Sequence, residues 1–310
     1  MLRPAVPLAC LVILVPGWMA RGQQEDDIPA LVRLLKDKEP GIRDKAVLAL
    51  AQHGPKAAPA VPGLIEVLKD EKADIRGHAA YALGQIGAEA KAAIPALAAA
   101  LKDKDAHVRR LAVDALGRIG VTATDAVPHL VAALSDEDLG PRAADALGRI
   151  GAAAKGAVPA LVAALQKPAT RPYAAFALGK LGALGLPALR EASTNKDTDV
   201  RIDAVIALGM IGPEAVPTLA AALKDKEVDV RLNAVSTLTK MGTDAKIAVP
   251  ALAEALKDPD DEIRFRVARA LGSLGAEAKD AIKALEEAKN DKDKKVQQAA
   301  ADALERIRGK

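Results

Sequence analysis

The sequence predicts an all-α fold, a superhelix of about nine stacked helix pairs, and three recurrences carry that prediction. The phrase "YALGQIG" at 81–87 returns as "DALGRIG" at 114–120 and 145–151, and as "FALGKLG" at 176–182. A proline series runs in step with it: Pro29, Pro62, Pro95, Pro128, Pro159, Pro187, Pro217 and Pro250. A glycine series closes it: Gly54, Gly87, Gly120, Gly151, Gly182, Gly212, Gly242 and Gly275. With the central leucine as reference, the units fall at Leu50, Leu83, Leu116, Leu147, Leu178, Leu208, Leu238, Leu271 and Leu304, spaced by 30 to 33 residues. That period is the signature of a solenoid repeat.

The first 22 residues read differently. "MLRP" supplies a positive start and "AVPLACLVILVPGWMA" an apolar run without charge, and Ala20 and Gly22 are the small residues a signal peptidase inspects. The run is shorter than the roughly 20 residues that span a bilayer, and Pro7 and Pro16 interrupt it. The expectation is a signal peptide over 1–22 and a single repeat domain over 23–310. The mature chain is then exported, periplasmic or secreted, with no stable membrane anchor. Cleavage removes Cys10, the chain's one cysteine, together with Arg3 and Arg21, so the net charge drops from +3 to +1. Packing alone must then hold the mature chain, with no disulfide available.

Within one unit, "AIPALAAALKDKDAHVRRLAVDALGRIG" at 93–120 shows how the elements arise. Proline opens the first helix, where its missing N–H has no partner to lose. "KDKD" makes the turn, with acids able to cap the second helix, which runs from about Ala106 to Gly120. The closing glycine is expected in a left-handed cap. A second glycine, at Gly84, Gly117, Gly148, Gly179, Gly209 and Gly272, lies inside the second helix. It costs about 1 kcal/mol there relative to alanine, which implies close approach by a neighbouring helix. The last unit replaces proline by Lys283, consistent with a polar terminal cap.

Together, proline, "VR" and "LGxIG" resemble the HEAT repeat family, in particular the short bacterial form first associated with phycobilisome lyases. The resemblance covers 26–310. It implies a right-handed solenoid with second helices lining the concave side and a ladder of arginines joining successive units. Arg43, Arg76, Arg109, Arg171, Arg201, Arg231 and Arg264 match the ladder position, whereas Gly140 and Gln297 depart from it. The ladder is therefore expected to be weakest at unit four.

Catalytic and metal chemistry find little support in the sequence. His53, His78, His107 and His129 fall in four different units without metal-ligand spacing. Deoxyhypusine hydroxylase, a HEAT-like di-iron enzyme, needs His-Glu pairs, but Ala79 follows His78 and no "HE" occurs. Bilin-lyase-like catalysis is the alternative, resting on fold analogy alone. Interspersed charges form no basic stripe for nucleic acid. The expectation is no enzyme, no cofactor and no metal.

Recognition of a protein or peptide remains. Aromatics make up only 2% of the chain, yet Tyr81, Tyr173, Phe176 and Phe265 all fall at outward positions of second helices. Ile202, Ile206, Met210 and Leu232 project beside Tyr173 and Phe176, with Lys180 at their edge, giving a candidate apolar patch over units five to seven. The competing reading buries these residues through local curvature where the repeat spacing shortens. Asp114 with Arg118, Asp145 with Arg149, and Asp302 with Arg306 are expected to pair at i, i+4 and so partly cancel a basic row.

Overall fold

The computed structural model describes residues 27–309; the expected signal peptide and the new N-terminus at Gln23 lie outside them. The described residues form nine helix pairs: α1 (Ile28–Leu34) and α2 (Pro40–Gln52); α3 (Val61–Val67) and α4 (Ala73–Ile86); α5 (Ile94–Ala100) and α6 (Ala106–Ile119); α7 (Val127–Ala133) and α8 (Gly140–Ile150); α9 (Val158–Ala164) and α10 (Arg171–Lys180). Then follow α11 (Leu186–Ala192) and α12 (Thr198–Leu208), α13 (Val216–Ala222) and α14 (Val228–Met241), α15 (Val249–Ala255) and α16 (Asp261–Leu274), and α17 (Ile282–Ala288) and α18 (Lys294–Arg308). The architecture is an all-α superhelical solenoid.

Each first helix is only seven residues long, too short to persist without packing. Eight of the nine carry proline in the first turn. Two positions after the proline stands a leucine, Leu31, Leu64, Leu97, Leu130, Leu161, Leu189, Leu219 or Leu252, and each is buried. The reference leucines of the second helices are buried as well, so every unit contributes one leucine from each helix to a continuous apolar spine. Each such side chain contributes about 1.5–3 kcal/mol by leaving water.

Second helices pack directly on one another from unit to unit, whereas successive first helices barely touch. Elements are closest on the inside of a curve, so second helices line the concave side. The connections on the other side are 3-10 turns, such as Gly87–Ala93 and Gly275–Ala281, which sequence periodicity did not reveal. Their alanines, including Ala90, Ala93, Ala278 and Ala281, are fully buried between neighbouring units, where a larger side chain would force the units apart.

The closing glycines depart from the expected left-handed cap. Gly87 (φ 71°, ψ −137°), Gly120 (φ 72°, ψ −139°) and Gly275 (φ 54°, ψ −131°) have positive φ with strongly negative ψ, whereas Gly309 is left-handed (φ 72°, ψ 33°). A left-handed residue would fold the chain back onto the helix end. The observed conformation, open essentially to glycine alone, instead throws the chain straight into the 3-10 turn. Gly151 (φ 67°) also divides the apolar stretch 140–164 into two separate helices, although its length and composition would suit a membrane span.

Candidate binding face

The turn between helices sets the register of the whole stack. In seven units the first aspartate of the turn accepts the backbone N–H two residues on, as Asp70 does from Lys72 (2.9 Å) and Asp258 from Asp260 (2.9 Å). The same carboxylate takes a bidentate guanidinium from the preceding unit: Arg43 on Asp70, Arg76 on Asp103, Arg201 on Asp225, Arg231 on Asp258 and Arg264 on Asp291, with Nε–Oδ2 distances of 2.6 to 2.8 Å. Each arginine also donates Nη1 to the carbonyl of its own turn, as Arg76 does to Asp70 (2.8 Å). One aspartate therefore shapes its turn, binds the unit before it and anchors its own arginine. Hydrogen bonds from Arg76 and Arg264 hold Asp103 and Asp291 below the usual carboxylate range, against the opposing effect of burial.

The ladder changes at units four and five. Arg109 reaches only its own turn carbonyls, Asp103 (3.0 Å) and Lys104 (3.3 Å). The matching carboxylate of the next unit, Asp136, keeps the turn bond from the Asp138 N–H and adds one from the Leu139 N–H, without taking a guanidinium from Arg109. Gly140 stands where an arginine would be; a Cβ there would come within 3.0 Å of the Leu134 carbonyl and the Thr170 hydroxyl. Arg171 turns to a different set in unit six, Asp203 (3.0 Å), Asp199 (2.9 Å) and Asp197 (3.6 Å). Burial raises the Asp203 carboxyl despite Arg171 beside it. At the C-terminal end Gln297 retains half of the device, donating Nε2 to the Asp291 carbonyl (2.6 Å).

The glycines inside second helices mark where those helices meet. A Cβ on Gly84, Gly117 or Gly272 would lie 3.0 Å from the Cα of Ala115, Ala146 or Ala303 on the following second helix. The stems of Arg118, Arg149 and Arg306 lie over these same glycines, and Met210 lies over Gly179. Each glycine therefore forms a notch that seats a side chain of the next unit and aims its head along the concave face. This notch has no signature in a single unit, because its occupant comes from the next one.

The apolar candidates divide into two groups. Tyr173 (46% exposed) and Phe176 (40%) on α10, Ile206 (49%) on the neighbouring α12 and Met210 (37%) in the turn just after α12 are open to solvent. Ile202, Leu232 and Phe265, expected to project outward, are half-buried against the core. They stand six positions before the reference leucine, at the margin of the buried stripe. Lys180 Nζ sits 5.4 Å from the Phe176 ring centroid, and the Arg269 guanidinium 5.6 Å from that of Phe265. Tyr81 is exposed but lies in unit two, three units before the patch, beside the His78–Asp44 contact (2.6 Å).

Charges in units three and four pair mostly across units. Arg149 binds Asp145 within its own helix (2.8 Å), but Asp114 takes Arg142 (2.8 Å) and Arg110 takes Asp138 (3.0 Å). Arg118 instead faces Gln85 (3.4 Å), and Asp302 accepts from Gln298 (2.8 Å) rather than from Arg306. Two of the three expected i, i+4 pairs are therefore absent: Asp114 is taken by Arg142 and Asp302 by Gln298. Among the described residues no group of three or more His, Cys, Asp and Glu side chains could hold a metal ion.

A stack of helix pairs, joined by one spine of leucines and one ladder of arginines, defines an α-solenoid repeat protein. HEAT repeats match residues 61–147, 158–231, 186–249 and 216–305, and the chain belongs to the HEAT repeat family. Among solved structures it is similar to an acid-to-lysine mutant of Kap121p (14% identity, TM-score 0.59), covering 90% of this chain and 37% of that one. It is also similar to an engineered protein from a structural genomics consortium (24% identity, TM-score 0.48; 91% and 88% covered). A third likeness is to the CpcE–CpcF complex of phycocyanin lyase from Nostoc sp. PCC7120 (24% identity, TM-score 0.45; 85% and 99% covered). No curated protein matches the chain in a comparison of sequences.

Proposed function

We propose that this chain is an exported, non-catalytic scaffold that binds a protein or peptide on its concave face through units five to seven. The observation that carries the proposal is the exposure of Tyr173, Phe176, Ile206 and Met210 side by side, in a chain whose core is Ala, Leu, Val and Ile. Exposed aromatic and long apolar side chains clustered on adjoining elements mark interaction sites far more often than isolated ones do. Lys180 above the Phe176 ring supplies a charged rim to the cluster. Export rests on the N-terminal pattern of a positive start, a short apolar run and small residues at 20 and 22.

Residues 23–310 serve as bait against the exported fraction of the native host, whose own copy of the protein begins at Gln23 if the signal is cleaved. Replacing Tyr173 and Phe176 together with alanine then weakens binding of the captured partner by about 2 kcal/mol or more. Thermal stability changes by no more than about 0.5 kcal/mol, because both rings are exposed. Loss of about 3–5 kcal/mol of stability, the cost of truncating a buried ring, would show that the two rings serve packing instead.

A further inference from the structure

On the concave face of units three to five Arg110, Arg142, Arg149 and Arg171 each pair with a carboxylate, and Arg118, which faces Gln85, shares its surface with Asp114, Asp138 and Asp145. The C-terminal end has instead a groove of about 320 Å3 between α16 and α18, lined in part by Phe265, Arg269, Gly272, Lys295, Asp302 and Arg306. Arg269, Lys295 and Arg306 are exposed and make no ion pair among the described residues. Asp302, the acid of this groove, is hydrogen-bonded to Gln298. The stem of Arg306 is seated over Gly272 and the Arg269 guanidinium rests against Phe265, so both charges are held in place rather than left on free stems. Two fixed guanidiniums and the Lys295 ammonium therefore face the single carboxylate of Asp302 and leave the concavity net positive; it lies along the same row of second helices as the apolar cluster, since α16 packs on α14 and α14 on α12.

We propose that the partner segment is an acidic peptide: apolar side chains settle over α10 and α12, and carboxylates beyond them enter the α16–α18 groove. This deepens the binding reading above and rests on it. Neighbouring helices lie about 8–10 Å apart, so the groove begins about two to three helix spacings beyond the exposed Ile206 on α12. An extended chain rises about 3.3 Å per residue, which places the acids about five to nine residues past the last exposed apolar anchor. Arg269 and Arg306 supply planar forks suited to carboxylates, and Lys295 adds a point charge. The charge-paired surface of units three and four offers no equivalent at the other end of the stripe, so the acids lie toward unit nine.

The test uses a phage-displayed random library of peptides about 16 residues long, enough to run from α10 to α18, selected on residues 23–310. The expected peptides carry two or more Asp or Glu offset to one side of an aromatic or aliphatic pair. Their affinity falls at least about ten-fold on Arg269→Gln with Arg306→Gln, is only partly restored by lysine at both positions, which returns the charge without the fork, and weakens with added salt. It also falls on Tyr173→Ala with Phe176→Ala. Peptides that need the two rings but show no acidic enrichment, or that ignore the glutamine variant, overturn the acidic partner and leave the apolar site standing. Peptides indifferent to Tyr173 and Phe176, or a library yielding no binder, overturn the concave-face reading as well.

Discussion

Two ion pairs of nearly equal length should differ several-fold in worth. Arg231 Nε lies 2.7 Å from Asp258 Oδ2, with side chains 9% and 7% exposed; Lys224 Nζ lies 2.6 Å from Glu254 Oε2, with side chains 69% and 65% exposed. Removing one member of a fully buried pair costs about 3–5 kcal/mol, because the remaining charge stays behind unpaired. After Asp258→Ala, Arg231 still has the carbonyls of Asp225 (2.9 Å) and Lys226 (3.2 Å), which lowers that cost. The turn bond to the Asp260 N–H is lost too, at about 0.5–1.5 kcal/mol. The expected total is about 3 kcal/mol for Asp258→Ala and less for Asp258→Asn, whose Oδ1 keeps the turn bond. Glu254→Ala should cost less than about 1 kcal/mol, as exposed pairs do. Urea unfolding followed by helical circular dichroism reads the difference as a midpoint shift at constant slope. Equal shifts for Asp258→Ala and Glu254→Ala would refute the argument, since burial, rather than distance, is what separates the two pairs.

Gly117→Ala gains about 1 kcal/mol of helix propensity but puts a Cβ 3.0 Å from both Cα and Cβ of Ala146; overpacking of about 1–3 kcal/mol then outweighs the gain. Its melting temperature should fall by a few degrees, while that of Gly41→Ala, where nothing lies within 4 Å, should hold or rise. A higher melting temperature for Gly117→Ala would contradict the notch. The lowered carboxyls of Asp103 and Asp291 predict an acid limit. Their contribution is complete above the unfolded carboxylate pKa of about 3.9, and it disappears as pH falls through the lower native values. Calorimetric melting should therefore be level from about pH 8 to 5 and fall below about pH 4; a curve flat to about pH 2 would detach the ladder from stability.

The sequence by itself determined the number of units, their period and the ends of most helices. Proline at the first turn, leucine two positions later, the reference leucine and the closing glycine each act through the local backbone or through burial at a fixed phase. Such signals can be read within one unit, and nine copies make them unmistakable. The tertiary structure decided what passes between units. The carboxylate that receives Arg76 is 27 residues away, and the one that receives Arg201 is 24 away because the connector before Pro217 is shorter. The aspartates of the "KDKD" turns read as caps alone until the next turn of the superhelix set an arginine against them. Likewise Ile202, Leu232 and Ile206 are all expected to project outward, yet Ile202 and Leu232, nearer the buried stripe, pack half-buried against the core while Ile206 stays exposed. Helical phase fixes the direction in which a side chain leaves its own helix. Whether it then meets solvent, a notch or a counter-charge depends on the rotation from one unit to the next, which is set by side chains packed across the interface.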